Sequence, residues 1–148
     1  MAKLSFSATI RDWAKKVPEA AEAVRNESAK EVVRDMQTLD SEGGRMRYKT
    51  GFLWGSLLAS TAAMPSINPS AKPSPGQKYS FDFGQVEAVI AGSDFEDTLY
   101  FGYTANYAGY REYGARGQPP DAFVRTAAQK WPQIVERNTN RVRKAFGL

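Results

Sequence analysis

Between Val17 and Leu39, small and apolar residues recur three or four positions apart: Val17, Ala21, Val24, Ser28, Val32, Met36 and Leu39. That spacing predicts one buried helical face. Pro18 suits the first turn, where its missing N–H goes unused, and Gly43 and Gly44 are the stop signal. From Pro18 to Leu39 such a helix is roughly 33 Å long at about 1.5 Å per residue. A shorter amphipathic piece, Ser7 to Lys16, is expected before it with Ile10 and Trp13 facing inward. The glycosylation-like triplet Asn26-Glu27-Ser28 falls mid-helix and carries no meaning in an unsecreted chain.

The middle of the chain changes period. "KYSFDF" (78–83) alternates Tyr79, Phe81 and Phe83 with Ser80 and Asp82, the pattern of a half-buried strand. "VEAVIAG" (86–92) and "TLYFGYT" (98–104) are also rich in strand-forming residues, with "SDFED" as a hairpin connection. "LLASTAAM" (57–64) makes a weaker fourth strand. Between it and the next lies "PSINPSAKPSPGQK" (65–78), whose four prolines exclude a central ladder and predict a mobile arm.

Tyr107, Tyr110 and Tyr113 are three apart, which a strand of period two cannot place on one face. They fit a helical turn that packs against the core, ended by Gly114 in the left-handed conformation. Pro119 and Pro120 then open a second long helix with Asp121 in its first turn. Its inner stripe runs Phe123, Ala127, Trp131, Ile134 or Val135, Asn138, Val142 and Phe146. Pro132 interrupts that stripe, so a kink or break is expected at Trp131–Pro132. The order predicts an α+β fold: a small antiparallel sheet of about four strands against long N- and C-terminal helices, as a single domain over 1–148.

Composition narrows the function. The chain of 148 residues is 42% apolar and 24% charged, which suits a folded domain rather than a disordered tail. No run is apolar enough for a signal peptide or a membrane span, so a cytosolic chain with no membrane partner is expected. The chain has no histidine and no cysteine, which removes thiol nucleophiles, thiolate metal sites and the commonest general base. The net charge of +4 is uneven. Residues 1–42 carry seven cations and eight anions, and residues 43–120 carry seven and six. Residues 121–148 hold six cations against Asp121 and Glu136, so that segment alone matches the whole excess. Its helix could meet phosphate, meet an acidic protein surface, or simply be solvated.

Three stretches are candidates for chemistry. Asp94, Glu96 and Asp97 could hold a divalent cation, though a solvated loop explains them as well. Glu112, between Arg111 and Tyr113, lacks the second carboxylate that glycoside hydrolysis needs and reads better as half of a structural ion pair. Aromatics interleaved with cations in "YAGYREYGARG" (107–117) suit a stacking platform for single-stranded nucleic acid.

"TGFLWGS" (Thr50–Ser56) resembles the Thr-Gly-x-Leu-x-x-Ser element of the tail-completion, or neck, proteins of long-tailed bacteriophages. "YREYGA" (110–115) is similar to that family's Tyr-x-Glu-aromatic-Gly-Thr, preceded by Tyr-Ala at 107–108, and "PPDAFVR" (119–125) to its Pro-x-x-Pro-Phe-Leu-Arg. The three elements stand in the family's order, and the likeness covers about residues 15–146. Ala115 replaces the usual threonine, Ala122 the second proline, and the arm at 65–78 is longer than typical.

The resemblance implies a virion structural protein without enzymatic activity or cofactor. Such proteins assemble in the host cytoplasm into a ring, commonly six-fold, between the head connector or stopper and the tail terminator or tail tube, with genomic DNA passing through. Thr50, Gly51, Leu53, Ser56, Tyr107, Tyr110, Glu112, Tyr113, Gly114, Pro120, Phe123 and Arg125 are then its motif positions. Arg111, Arg116, Arg137, Arg141 and Arg143 are the expected partner contacts. The competing readings are a basic nucleic-acid-binding domain, with salt-sensitive binding, and a small enzyme built on Glu112 and tyrosines.

Overall fold

The computed structural model describes residues 5–148; residues 1–4, including the charge counted at Lys3, lie outside the described residues. The first helix, α1, runs Phe6–Met36 without interruption, and Ser5 caps it by accepting the Ala8 N–H at 3.2 Å. Two separate helices were expected here. Pro18 lies inside α1 instead, because it and Ala14, whose carbonyl loses its partner, are both on the exposed side. Water can satisfy that carbonyl. Ile10 and Trp13 also face outward, with Trp13 57% exposed, against the inward orientation expected of them. The buried stripe is Ala20, Ser28, Ala29, Val33 and Met36, shifted partly off the expected one. Helix α1 stops at Met36, short of Leu39, and Gly43 ends a separate 3-10 turn, Asp40–Glu42.

After the short α2 (Phe52–Gly55) come β1 (Leu57–Ser60), α3 (Gly84–Gly92) and β2 (Tyr100–Tyr103). The strands pair antiparallel, with Leu57 opposite Tyr103 and Ser60 opposite Tyr100. The α+β class is therefore right, but the chain is mostly helical and its sheet has two strands rather than about four. Residues 86–92 form a helix because Val86 and Ile90, four apart, are both fully buried on one side while Gln85, Glu87 and Ala88 favour helix around them. "SDFED" consequently joins a helix to a strand. Residues 79–82 join no ladder, and Phe83, at φ -64 and ψ -21, already turns into α3. Their alternation instead sends Phe81 toward Trp54, ring centroids 6.0 Å apart, and Tyr79 edge-on to Phe52 at 5.0 Å.

Helix α4 (Ala108–Tyr113) holds the tyrosine turn. The C-terminal helix is broken as Pro132 predicts, into α5 (Phe123–Gln129) and α6 (Trp131–Phe146). It starts later than expected, so Pro119, Pro120 and Asp121 precede it. Val33, Met36, Met46, Leu53, Leu57, Val86, Ile90, Tyr103 and Phe123 form the core between α1, the strands, α3 and α5. Helix α6 lies along α1 through Ile134, Asn138 and Val142, whereas Trp131 is exposed. The arm at 65–78 is largely exposed but is tethered: Asn68 N–H donates to the Thr104 carbonyl at 2.9 Å, and Asn106 N–H to that of Ala71 at 2.8 Å.

Candidate functional site

The element at Thr50–Ser56 meets, in one corner, the two neighbouring elements at 107–115 and 119–125 from some fifty residues later in the chain. Thr50 and Gly51 turn the chain into α2, and Gly51 has φ +82 with the Tyr79 carbonyl where a Cβ would stand. No side chain fits there. Leu53 is buried, and its N–H donates to Tyr107 Oη at 3.2 Å. Ser56 Oγ donates back to the Leu53 carbonyl at 2.8 Å, closing the turn. Trp54 and Gln37 bind reciprocally: indole N–H to the Gln37 carbonyl at 3.0 Å, and Gln37 Nε2 to the Trp54 carbonyl at 2.8 Å. Gln37 Oε1 accepts from Tyr103 Oη at 2.6 Å. Burial, and secondarily the charge of Glu112, pushes the Tyr103 hydroxyl well above its ordinary pKa. Burial also raises Tyr107, with the Leu53 amide and Arg111 opposing.

Glu112 is 6% exposed and is a helix cap. Its two oxygens accept the Val124 and Arg125 N–H groups at 2.9 Å each, and Arg125 Nε sits 3.2 Å away. This explains the residue before α5: Ala122, at φ 53, supplies no side-chain cap, and Glu112 takes that role from another helix. Gly114 ends α4 with φ 85 and ψ 151, an extended conformation open to glycine rather than the left-handed helical one expected. Phe123 stacks edge-on against Tyr103, with centroids 5.0 Å apart. Tyr110 and Tyr113, expected to pack inward, are 66% and 69% exposed. Arg125 lies over the Tyr113 ring at 5.1 Å.

Sequence reasoning missed the centre of the corner, Asp121. It is 5% exposed and precedes α5, in whose first turn it was expected. Arg47 Nε meets its carboxylate at 2.6 Å and Arg111 Nε at 3.3 Å, while Arg45 Nε donates to its carbonyl at 2.6 Å. The buried Arg111 Nε is not aligned for a hydrogen bond. The signal was present in "RMRYK": Arg45, Arg47 and Lys49 alternate with the fully buried Met46. Period two in an extended segment puts those cations on one side.

Two adjoining cavities, of about 390 and 500 Å³, open beside this cluster and share Arg47, Tyr107 and Arg111. Lys49 and Trp54 line one and Arg116 and Tyr110 the other, with Pro73 and Pro69 of the arm on their margins. No carboxylate lines either.

The partner residues expected on α6 are differently placed. Arg137 pairs with Glu31, and Arg141 lies 3.8 Å from Glu27 and donates to Asn138 Oδ1 at 2.7 Å. Asn138, fully buried, donates to Ser28 Oγ and Glu31. Lys130 adds a pair with Asp35. The basic helix thus faces acids of α1; Arg143 remains exposed and makes no ion pair among the described residues. The acidic loop at 94–97 is held by Arg25, which donates to the carbonyls of Asp94, Phe95 and Asp97 at 2.7, 3.1 and 3.2 Å. No group of three metal-binding side chains occurs among the described residues, and no helix among them is long and apolar enough to cross a membrane.

Comparisons with protein-family models, with curated proteins and with solved structures gave no match.

Proposed function

We propose that the chain is a structural protein of a tailed bacteriophage, forming a ring at the head–tail junction between the head connector and the tail tube. The observation that carries this reading is the convergence of the three neck-like motifs. Thr50–Ser56 reaches across the chain to Tyr107–Gly114 through Leu53 and Tyr107, and Tyr107–Gly114 holds the neighbouring Pro119–Arg125 segment through Glu112 and α5. Residues that resemble a family motif and also hold one another in place are acting as a unit of the fold. The rest of the corner is consistent with a joint. Its carboxylates are engaged in capping and ion pairing rather than facing a reaction site, and its exposed groups are tyrosines and cations suited to contacts.

Disrupting the gene in the phage that encodes it should give filled heads and separate tails under the electron microscope. Normal joined particles would contradict the reading. A second reading, binding of single-stranded nucleic acid, draws on Tyr110 and Tyr113 standing exposed near Arg116 and Arg125. It requires oligonucleotide affinity that falls steeply with salt.

A further inference from the structure

We propose that the double cavity around Arg47, Tyr107 and Arg111 is a docking cleft for an acidic peptide segment of another protein, one whose carboxylates alternate with apolar side chains. The site does not depend on the chain's place in a particle.

Charge supports an anionic occupant. Arg47, Lys49, Arg111 and Arg116 line the cleft without any carboxylate, and Asp121, behind it, is already shared by Arg47 and Arg111. One carboxylate cannot neutralise so many cations, and each guanidinium carries five donors, more than Asp121 and its neighbours use. On the α1–α6 face Arg137 and Lys130 are met by Glu31 and Asp35, whereas in the cleft Lys49 and Arg116 make no ion pair among the described residues and Arg47 and Arg111 share one carboxylate.

Shape and lining point to a peptide rather than a phosphate chain. Leu53, Trp54, Pro73 and Tyr107 give the first cavity an apolar floor beneath its basic rim. Bases of a single strand can stack on Trp54 and Tyr107, but Leu53 and Pro73 add aliphatic lining that suits leucine or phenylalanine, so an acidic segment carrying those residues matches both the apolar and the basic lining. Arg116 adds an independent observation. It sits at φ 53 and Gly117 at φ 77, the two central positions of a tight turn closed between Ala115 and Gln118. Such positions favour asparagine and glycine, and an arginine there is strained. A strained cation displayed at a cavity mouth indicates a contact role.

The test uses the full chain with Trp13→Phe and Trp131→Phe, both exposed positions, so that of its three tryptophans Trp54 alone reports on the cleft. The probes are a short peptide alternating aspartate with phenylalanine and leucine, the same peptide with asparagine for aspartate, and oligothymidylate. The acidic peptide should shift Trp54 emission and bind at physiological salt. The neutral peptide should bind about tenfold more weakly, as should the Lys49→Glu, Arg116→Glu double variant toward the acidic peptide. Arg116→Asn should weaken binding while leaving the melting temperature equal or higher, which a purely structural arginine would not do. Equal affinity for the neutral peptide, tighter binding of oligothymidylate, or full binding by the double variant would each overturn the proposal.

Discussion

The α1–α6 face and the arginine corner are both rich in cations, and they handle them in opposite ways. Along α6, Lys130, Arg137 and Arg141 meet Asp35, Glu31 and Glu27, acids contributed by a helix some hundred residues earlier in the chain. At the corner, Arg45, Arg47 and Arg111 converge on Asp121 alone. Counting charge by stretches of sequence marks the C-terminal segment as the basic one; folding cancels much of that excess and concentrates another. Local surplus is a property of the tertiary arrangement.

The largest expected effect breaks the corner. Asp121→Ala leaves Arg47 and Arg111 facing each other with no anion, and should cost roughly 3–5 kcal/mol, nearer the low end because both arginines are partly exposed. Chemical denaturation measures it. A loss below about 1 kcal/mol would mean that solvent already screens the cluster. Next comes Glu112→Ala. Pairing with a buried arginine implies a similar cost, but Arg125 is half exposed, so the loss comes chiefly from the orphaned Val124 and Arg125 amides. About 2–3 kcal/mol is expected, with α5 the first helix to fray in hydrogen exchange.

Alkaline titration sharpens the contrast without mutation. Tyr103 and Tyr107 both have raised pKa values in the folded protein, so the folded state holds their protons more tightly than the unfolded chain does. Their contribution to stability is complete below pH 10 and should erode as the pH rises from there through the folded values. Absorbance titration should show Tyr103 and Tyr107 ionising above the ordinary tyrosine value. Ionisation of Tyr103 and Tyr107 at the ordinary tyrosine value, with stability flat to high pH, would count against the buried corner.

The smallest effects lie on the other face. Arg137→Glu with Arg141→Glu sets like charges against Glu31 and Glu27 and should cost about 1 kcal/mol, diminishing in high salt. Arg143→Glu with Lys144→Glu should stay within about 0.5 kcal/mol. If the first pair instead abolishes head–tail joining while stability holds, α6 rather than the corner carries the partner surface.

Much of this was legible in the sequence where one local rule acted alone. The break before α6 followed from Pro132, the tyrosine turn from spacing, and β1 and β2 from β-rich runs. The misses share a cause: two local rules competed and tertiary packing decided. In 86–92, β-branched content argued for strand while the Val86–Ile90 spacing allowed a helix, and burial of both on one side chose the helix. Pro18 carries a helix-start signal, yet on an exposed face its missing bond costs little. Asp121 looked like a first-turn acid because nothing local reveals that Arg47 and Arg111 arrive from elsewhere. Glu112 was legible as half of an ion pair, but its capping of α5 depends on a helix whose start had been placed too early.

The proposal of a joining protein that receives its neighbours at the arginine corner is best tested by electron cryo-microscopy of tailed-phage particles made with this gene. The expected result is this chain as a ring at the head–tail junction, with an acidic segment of an adjacent protein seated between Arg47, Tyr107 and Arg111. A neck that lacks the chain, or one in which that cleft opens only to solvent, would contradict it.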